Sequence, residues 1–313
     1  MNDRRTGDMQ LTRLSLHAMA TRFEIAMWGD DPGRLRSAGE EALGEIERLD
    51  AQISFYRRES ELSWLNARAA EAPIRVTPEM FHLLTLAHDI HRKTDGAFDV
   101  TIGPLMRAWG LEGGTGKIPD RGELEQARAV VGMQHVHLDE AGSTVSFDRE
   151  GVRIDLGAIG KGYAIERAAK MLVESGVTSG IIHGGTSAAY GIGTPPDQPA
   201  WRVAIRNPDG ANDEMECVDL VDNCLCVSAV HGKSFSDGGK TYGHVIDPRS
   251  GMPVDHTPLA AVIGPSATVC DALSTALLVL GKSSLKALEQ RFPGYRGLVP
   301  GSAQRSNHTQ RLS

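Results

Sequence analysis

From residue 135 to residue 264 the chain runs in short β-type stretches, interrupted by one helical segment. Three of these stretches fall within 135–155, separated by "DEAG" and "REG", the pattern of a meander. Others lie at 179–183, 188–192, 201–205, 217–221, 224–229, 244–247 ("HVID") and 259–264 ("LAAVIG"). On either side of this block the apolar period lengthens to that of a helix. Leu35, Ala38, Ala42, Ile46, Leu49 and Ile53 recur at helical spacing over 34–53. Thr77 followed by Pro78 starts a helix that runs to about Lys93. A further helix is expected at 121–131, closed by Gly132, and a long one at 266–280 with a shorter one from Ser284. Alternation at Leu14, Leu16, Phe23, Ile25 and Met27 adds one or two opening strands. Helices, then strands, then helices specify an α+β fold with mostly antiparallel sheets.

No linker or repeat divides the chain, so residues 12–299 are read as one domain, between a flexible stretch at 1–11 and a polar, disordered tail at 300–313. A formal charge of −7 disfavours nucleic acid and anionic membrane surfaces as partners. The N-terminus has no apolar run of signal-peptide or membrane-spanning length, and the first cysteine is Cys217. A cytoplasmic protein with no integral membrane segment is expected. Cys217, Cys224, Cys226 and Cys270 have no C-x-x-C spacing, so buried free thiols are expected rather than zinc or a redox pair.

Three constellations could carry chemistry. In "VRIDLGAIGKGYAIERAAK", residues 152–170, a β-like run ends at Asp155, breaks at Gly157, Gly160 and Gly162, and continues as a helix over 162–175. Strand, glycine turn and helix N-terminus together direct backbone N–H groups and the positive end of a helix dipole at one spot, a cradle for phosphate. "GAIGKG" matches neither the dinucleotide fingerprint nor a Walker loop, and a close-packed strand-to-helix turn with Lys161 in solvent would read the same way. In "DALSTALLVLG", Asp271, Ser274 and Thr275 share one helix face. A carboxylate with hydroxyls is a hard-oxygen set that suits Mg²⁺, although an acidic first turn with a back-bonded threonine gives the same letters. In "YGHVIDPRSGMPV", His244 begins a strand that ends in a tight turn after Asp247, and it is the one histidine placed to carry a proton. His88 and His91 are read as an exposed helix face. Phosphate cradle, magnesium patch and proton carrier are the parts of phosphoryl-type chemistry.

"MATRFEI", "FYRRESELSWLN", "TDGAFDVTIGPL", "DLGAIGKGYAIERA", "HVIDPRSGMPV" and "DALSTALLVLG" stand in this order over roughly residues 16–285. In that order they resemble the ApbE-type FAD:protein FMN transferases. The resemblance implies a single T-fold-related α+β unit with FAD in a cleft between two lobes. It also implies transfer of FMN from FAD to a threonine hydroxyl of an acceptor flavoprotein, of redox-pump or reductase-subunit type, with release of AMP and help from Mg²⁺. By motif position the metal falls to Asp271, Thr275 and the carbonyl of Ala158, with Ser274 as a further donor. FAD contacts fall to Met19, Tyr56, Ala97, Phe98, Asp99, Asp155, Lys161 and Leu259, and His244 becomes the base for the acceptor threonine. Tyr56 and Phe98 are the expected ring-stacking partners.

Two features depart from the family. "VSAVHGKSF" stands where relatives carry a Ser-Gly-Tyr-like stretch, and His231 within it touches on acceptor docking. Many relatives are exported and lipid-anchored, unlike the expectation here. An FAD pyrophosphatase, with water in place of threonine, and a non-catalytic FAD-binding protein are the competing functions.

Overall fold

The strands expected from alternation divide between one seven-stranded antiparallel sheet and smaller sheets. A computed structural model describes residues 9–206, 214–230 and 234–299. His231 and residues 300–313 therefore lie outside the described residues. The strands are β1 (Gln10–Ala18), β2 (Thr21–Gly29), β3 (Ile74–Arg75), β4 (Val136–Asp139), β5 (Thr144–Phe147), β6 (Ser179–Gly184) and β7 (Ala188–Gly193). They continue with β8 (Trp201–Arg206), β9 (Glu214–Leu220), β10 (Asn223–Ala229), β11 (Ser234–Asp237), β12 (Lys240–Gly243), β13 (Leu259–Gly264) and β14 (Arg296–Leu298). The α-helices are α1 (Pro32–Ile53), α2 (Glu61–Arg68), α3 (Pro78–Lys93), α4 (Gly103–Ala108), α5 (Arg121–Arg128), α6 (Gly160–Glu174), α7 (Ala267–Leu280) and α8 (Leu285–Arg291).

Seven strands pair in the order β1-β2-β6-β7-β10-β13-β14, every neighbouring pair antiparallel. One face takes α1, α6 and α7. Alternation decides which side chains go there: Cys224, Cys226, Ala260 and Val262 join the large core under these helices. Leu225, Leu259, Ala261 and Ile263 join a second core with Ile205, Val218 and Leu220 of the β8–β9 hairpin. A third core, of Leu105, Trp109, Ala127, Val131 and Ile246 with Phe235 and Tyr242 against it, gathers α4, α5, the β11–β12 hairpin and the turn near 250. Trp109 ties that group together by donating its indole N–H to the Gly251 carbonyl at 2.8 Å.

The long helices begin where their caps predict. Asp31 accepts the Arg34 N–H before α1, and Thr77 accepts the Met80 N–H before α3. Three buried thiols are found at Cys224, Cys226 and Cys270, while Cys217 is exposed. Among the described residues no helix is long and apolar enough to cross a membrane.

Several expectations are corrected. β1 starts at Gln10, inside the stretch expected to be flexible. The run at 152–155 is extended but joins no sheet. Its backbone instead bonds Val100 and the side chain of Asn66, which receives from Ile154 N at 2.7 Å and donates to Ile154 O at 2.8 Å. "HVID" is not a strand: β12 ends at Gly243 and only Ile246 bridges to Pro253. His91 is not on an exposed face, since its Nδ1 lies 3.1 Å from Asp99 Oδ2 and 3.2 Å from the Phe98 carbonyl.

Candidate functional site

The glycine turn and the late helix meet. At Gly162 a Cβ would lie 2.1 Å from the Ala267 carbonyl oxygen and 2.7 Å from Asp271 Cβ, so α6 approaches α7 backbone to backbone at a glycine. The Gly162 N–H donates to Asp271 Oδ2 at 2.9 Å, placing the positive end of α6 on that carboxylate. Glu166 fastens the same junction one turn later. Its Oε2 accepts from Ser266 Oγ at 2.6 Å and from Thr268 N and Oγ1, both at 2.9 Å.

This changes the reading of the cradle. The Gly157 N–H is taken by Asp155 Oδ1 at 2.8 Å, the Gly160 N–H by the Leu156 carbonyl and the Gly162 N–H by Asp271. The glycine amides therefore shape the bend and orient two carboxylates rather than standing open to a phosphate. Lys161 reaches back to the Gly157 carbonyl at 3.3 Å and keeps a positive charge over the bend. Burial pushes the Asp155 carboxyl pKa up and nearby Glu112 adds to this, against the opposing pull of the Gly157 N–H, Lys161 and Arg153.

Asp271 and Ser274 are buried, and with Thr275 they form the expected row of oxygens on α7. Ser274 Oγ donates to the Asp271 carbonyl at 2.9 Å. Ser228 of β10 completes the row, with its Oγ 2.8 Å from Ser274 Oγ and 3.1 Å from Thr275 Oγ1. Sequence reasoning missed Ser228. The signal was there in the alternation of β10, which turns Cys224, Cys226 and Ser228 toward α7.

A carboxylate and a threonine hydroxyl on one helix face are donors of the kind Mg²⁺ takes, and Thr275 Oγ1 also back-bonds to the Asp271 carbonyl of its own helix at 3.4 Å. Asp271 Oδ1 makes no hydrogen bond among the described residues, and a threonine hydroxyl stands one helical turn away on the same face. Ala158 is partly buried in the bend, ahead of Gly162 in the chain. Among the described residues no three His, Cys, Asp or Glu side chains gather to hold a metal. One carboxylate with neutral oxygens leaves coordination positions for water and for a phosphorylated substrate, which is how Mg²⁺ is usually held.

His244 sits in a bend immediately after β12 and is half-buried. The preceding Gly243 packs on Val230, whose carbonyl oxygen would lie 2.7 Å from a Cβ there. Val230 is two residues beyond Ser228, so the bend borders the end of the sheet that carries the hydroxyl row. A cavity of about 140 Å³ lies beside it, lined by Val230, Thr241, Gly243, Val254, Asp255 and Pro258. The following turn is pinned by Asp247, which accepts from the Arg249 N–H and guanidinium at 2.9 Å. Burial acts to raise the Asp247 pKa, but these bonds outweigh it and hold the carboxyl below its ordinary value.

The positions assigned to FAD divide by exposure. Tyr56 is 63 % exposed with its ring edge-on to Phe55, and Asp155, Lys161 and Met19 are partly exposed. The Tyr56 phenol pKa is raised, first by desolvation of its partly covered ring and then by the negative charges of Asp155 and Glu112. Ala97, Phe98, Asp99 and Leu259 are buried. Phe98 is packed in the core at 1 % exposure, so its ring is not available to stack on a flavin. Leu259 turns into the core on the far face of the sheet, and in β13 it pairs with Ala229. Asp99 spends Oδ1 on Thr101 N and Oγ1, at 2.8 and 2.6 Å, and Oδ2 on His91.

Solved structures with a similar fold include ApbE proteins, among them flavin transferases. The ApbE protein of Thermotoga maritima superposes with a TM-score of 0.84 at 28% identity, covering 93% of this chain and 94% of that one. The flavinyl transferase ApbE of Pseudomonas stutzeri gives 0.80 at 27% identity over 93% and 95%. The FAD:protein FMN transferase of Salmonella typhimurium is 31% identical over 282 residues, 87% of this chain and 79% of that protein. The chain belongs to the ApbE family, whose model matches residues 19–299.

Proposed function

We propose that this chain transfers the FMN portion of FAD to a threonine hydroxyl of an acceptor protein and releases AMP. The observation that carries the reading is the Gly162–Asp271 hydrogen bond at 2.9 Å, which joins the bend with Asp155 and Lys161 to the oxygen row of α7. Relatives bearing the name FAD:protein FMN transferase support it along nearly the whole chain.

In this reading the acceptor threonine oxygen attacks the phosphorus on the FMN side of the pyrophosphate. The new O–P bond forms as the bond to the AMP oxygen breaks, and the hydroxyl proton passes to His244. Lys161 holds positive charge where the leaving phosphate gains negative charge. Tyr56 offers its ring to a planar group of the dinucleotide, and Asp155 offers a carboxylate oxygen to its donors. Asp271, Thr275 and the Ala158 carbonyl would hold Mg²⁺, with Ser274 and Ser228 fixing the hydroxyl pattern behind Thr275. When bound, the ion supplies neutralisation of the pyrophosphate charge. A well-placed stabilising group at such a centre contributes about 2.7–4 kcal/mol to lowering the barrier, and a general base on the order of 10²–10⁴-fold in rate.

Incubation with FAD, Mg²⁺ and a flavin-acceptor subunit of redox-pump or reductase type tests the proposal by intact-protein and peptide mass spectrometry. An FMN-sized mass increase on a threonine is expected. Free FMN and AMP without an adduct would instead identify a pyrophosphatase, and unaltered FAD a binding protein.

A further inference from the structure

Ala18 pairs with Thr21 across the β1–β2 hairpin, which leaves Met19 and Ala20 as a two-residue loop. Both have positive φ, at 49° and 56°. Such loops take Asn-Gly or Asp-Gly because left-handed backbone is unfavourable for other residues. The remaining described non-glycine residues with positive φ are Asp95, Ser143, Asp197 and Asp222, mostly aspartates, a residue type that enters left-handed backbone more readily than methionine or alanine. Met19 and Ala20 have no such side chain, so something outside the loop must hold them there.

That group is Asp50, buried on α1. Its Oδ1 accepts the Met19 N–H at 3.1 Å, and its Oδ2 pairs with Arg57 Nη2 at 2.5 Å. Arg57 belongs to the loop that presents Tyr56, and Ser63 Oγ anchors the Arg57 carbonyl from α2 at 2.7 Å. One buried carboxylate thus divides its two oxygens between two loops that come from different elements. Those loops carry Met19 and Tyr56.

We propose that Asp50 is a positioning residue for dinucleotide binding, holding the strained Met19–Ala20 turn and, through Arg57, the Tyr56 loop in one arrangement that receives FAD. The inference rests on the reading that Met19 and Tyr56 contact FAD. Preorganisation of this kind acts on binding, because the loops are ordered before the ligand arrives.

The test compares the full-length wild type with Asp50→Asn, Asp50→Ala and the double variant Asp50→Ala with Ala20→Gly. FAD affinity is read by flavin fluorescence without Mg²⁺, and KM for FAD and kcat by transfer assay. Asp50→Ala is expected to weaken binding and raise KM by about tenfold or more with kcat within about threefold, the signature of lost ground-state binding. Asp50→Asn, which can still accept the Met19 N–H but not the Arg57 guanidinium, is expected to fall between. Adding Ala20→Gly is expected to recover a large part of the affinity, because glycine takes positive φ without an anchor. If Asp50→Ala and Asp50→Asn bind FAD normally while Tyr56→Ala weakens it, the inference fails and the binding reading survives. If Tyr56→Ala also binds normally, the binding reading fails and takes the inference with it. A fall in kcat at unchanged KM, or no rescue by Ala20→Gly, would also overturn the role.

Discussion

At Asp155 stability and the proposed function pull against each other. Its pKa is raised in the folded chain, first by burial and then by Glu112, so the folded state holds its proton to higher pH than the unfolded chain does. Over that window stability falls as pH rises, and above it the cost of burying the charged form is fully present. Asp155→Asn keeps an oxygen for the Gly157 N–H and cannot ionise. We predict that the variant melts at a higher temperature than the wild type at neutral pH, that the gap closes as pH drops below the usual carboxylate range near ~3.9, and that FAD affinity is lost. Paired melting curves across pH and a flavin titration check this, and a variant that melts lower at neutral pH would contradict it. Asp271, Ser274 and Thr275 were legible because helical spacing fixes a shared face. Ser228 was not, because its partners lie 46 and 47 positions away and only sheet pairing brings them together.

Among elements, the junction of α6 and α7 decides whether the site exists. Gly162 is the contact point, and two helix backbones cannot yield to a methyl group placed 2.1 Å from the Ala267 carbonyl oxygen. Gly162→Ala is therefore expected to destabilise the protein by about 1–3 kcal/mol, as overpacking does, and to abolish Mg²⁺-dependent turnover. Gly44 is its internal control: it lies inside α1 with nothing within 4 Å of an added Cβ. Gly44→Ala should stabilise by about 0.5–1 kcal/mol on helix propensity and leave turnover unchanged. Thermal melts and a turnover assay of both variants separate the two effects, and equal behaviour would refute the close-approach argument. The long helices and most strands were legible because caps and periodicity are local. α2 escaped because eight residues give too little periodicity, and the run at 152–155 misled because its partners are loop atoms of Val100 and Asn66 rather than a strand. The β11–β12 hairpin had a readable signal in "DGGK", with Gly238 and Gly239 both at positive φ, that alternation alone did not single out.

For the whole molecule, the antiparallel seven-stranded sheet is a platform with α7 lying across it. Its alternation sends one set of β10 side chains under α7 and the other toward β8–β9. The α+β class and antiparallel pairing follow from short strands in succession, whereas the strand order does not, because β2 pairs with β6 across six α-helices and the separate β3-β5-β4 sheet. Under the proposed function, the bend at 155–162 and the oxygen row at 271–275 grip the same pyrophosphate through one divalent ion. A crystal structure with FAD and Mn²⁺, solved with anomalous data at the manganese edge, tests it directly. One anomalous peak is expected, bound by Asp271, Thr275 and the Ala158 carbonyl and touching the pyrophosphate oxygens. A peak elsewhere, or FAD bound with its pyrophosphate away from Asp271, would contradict it.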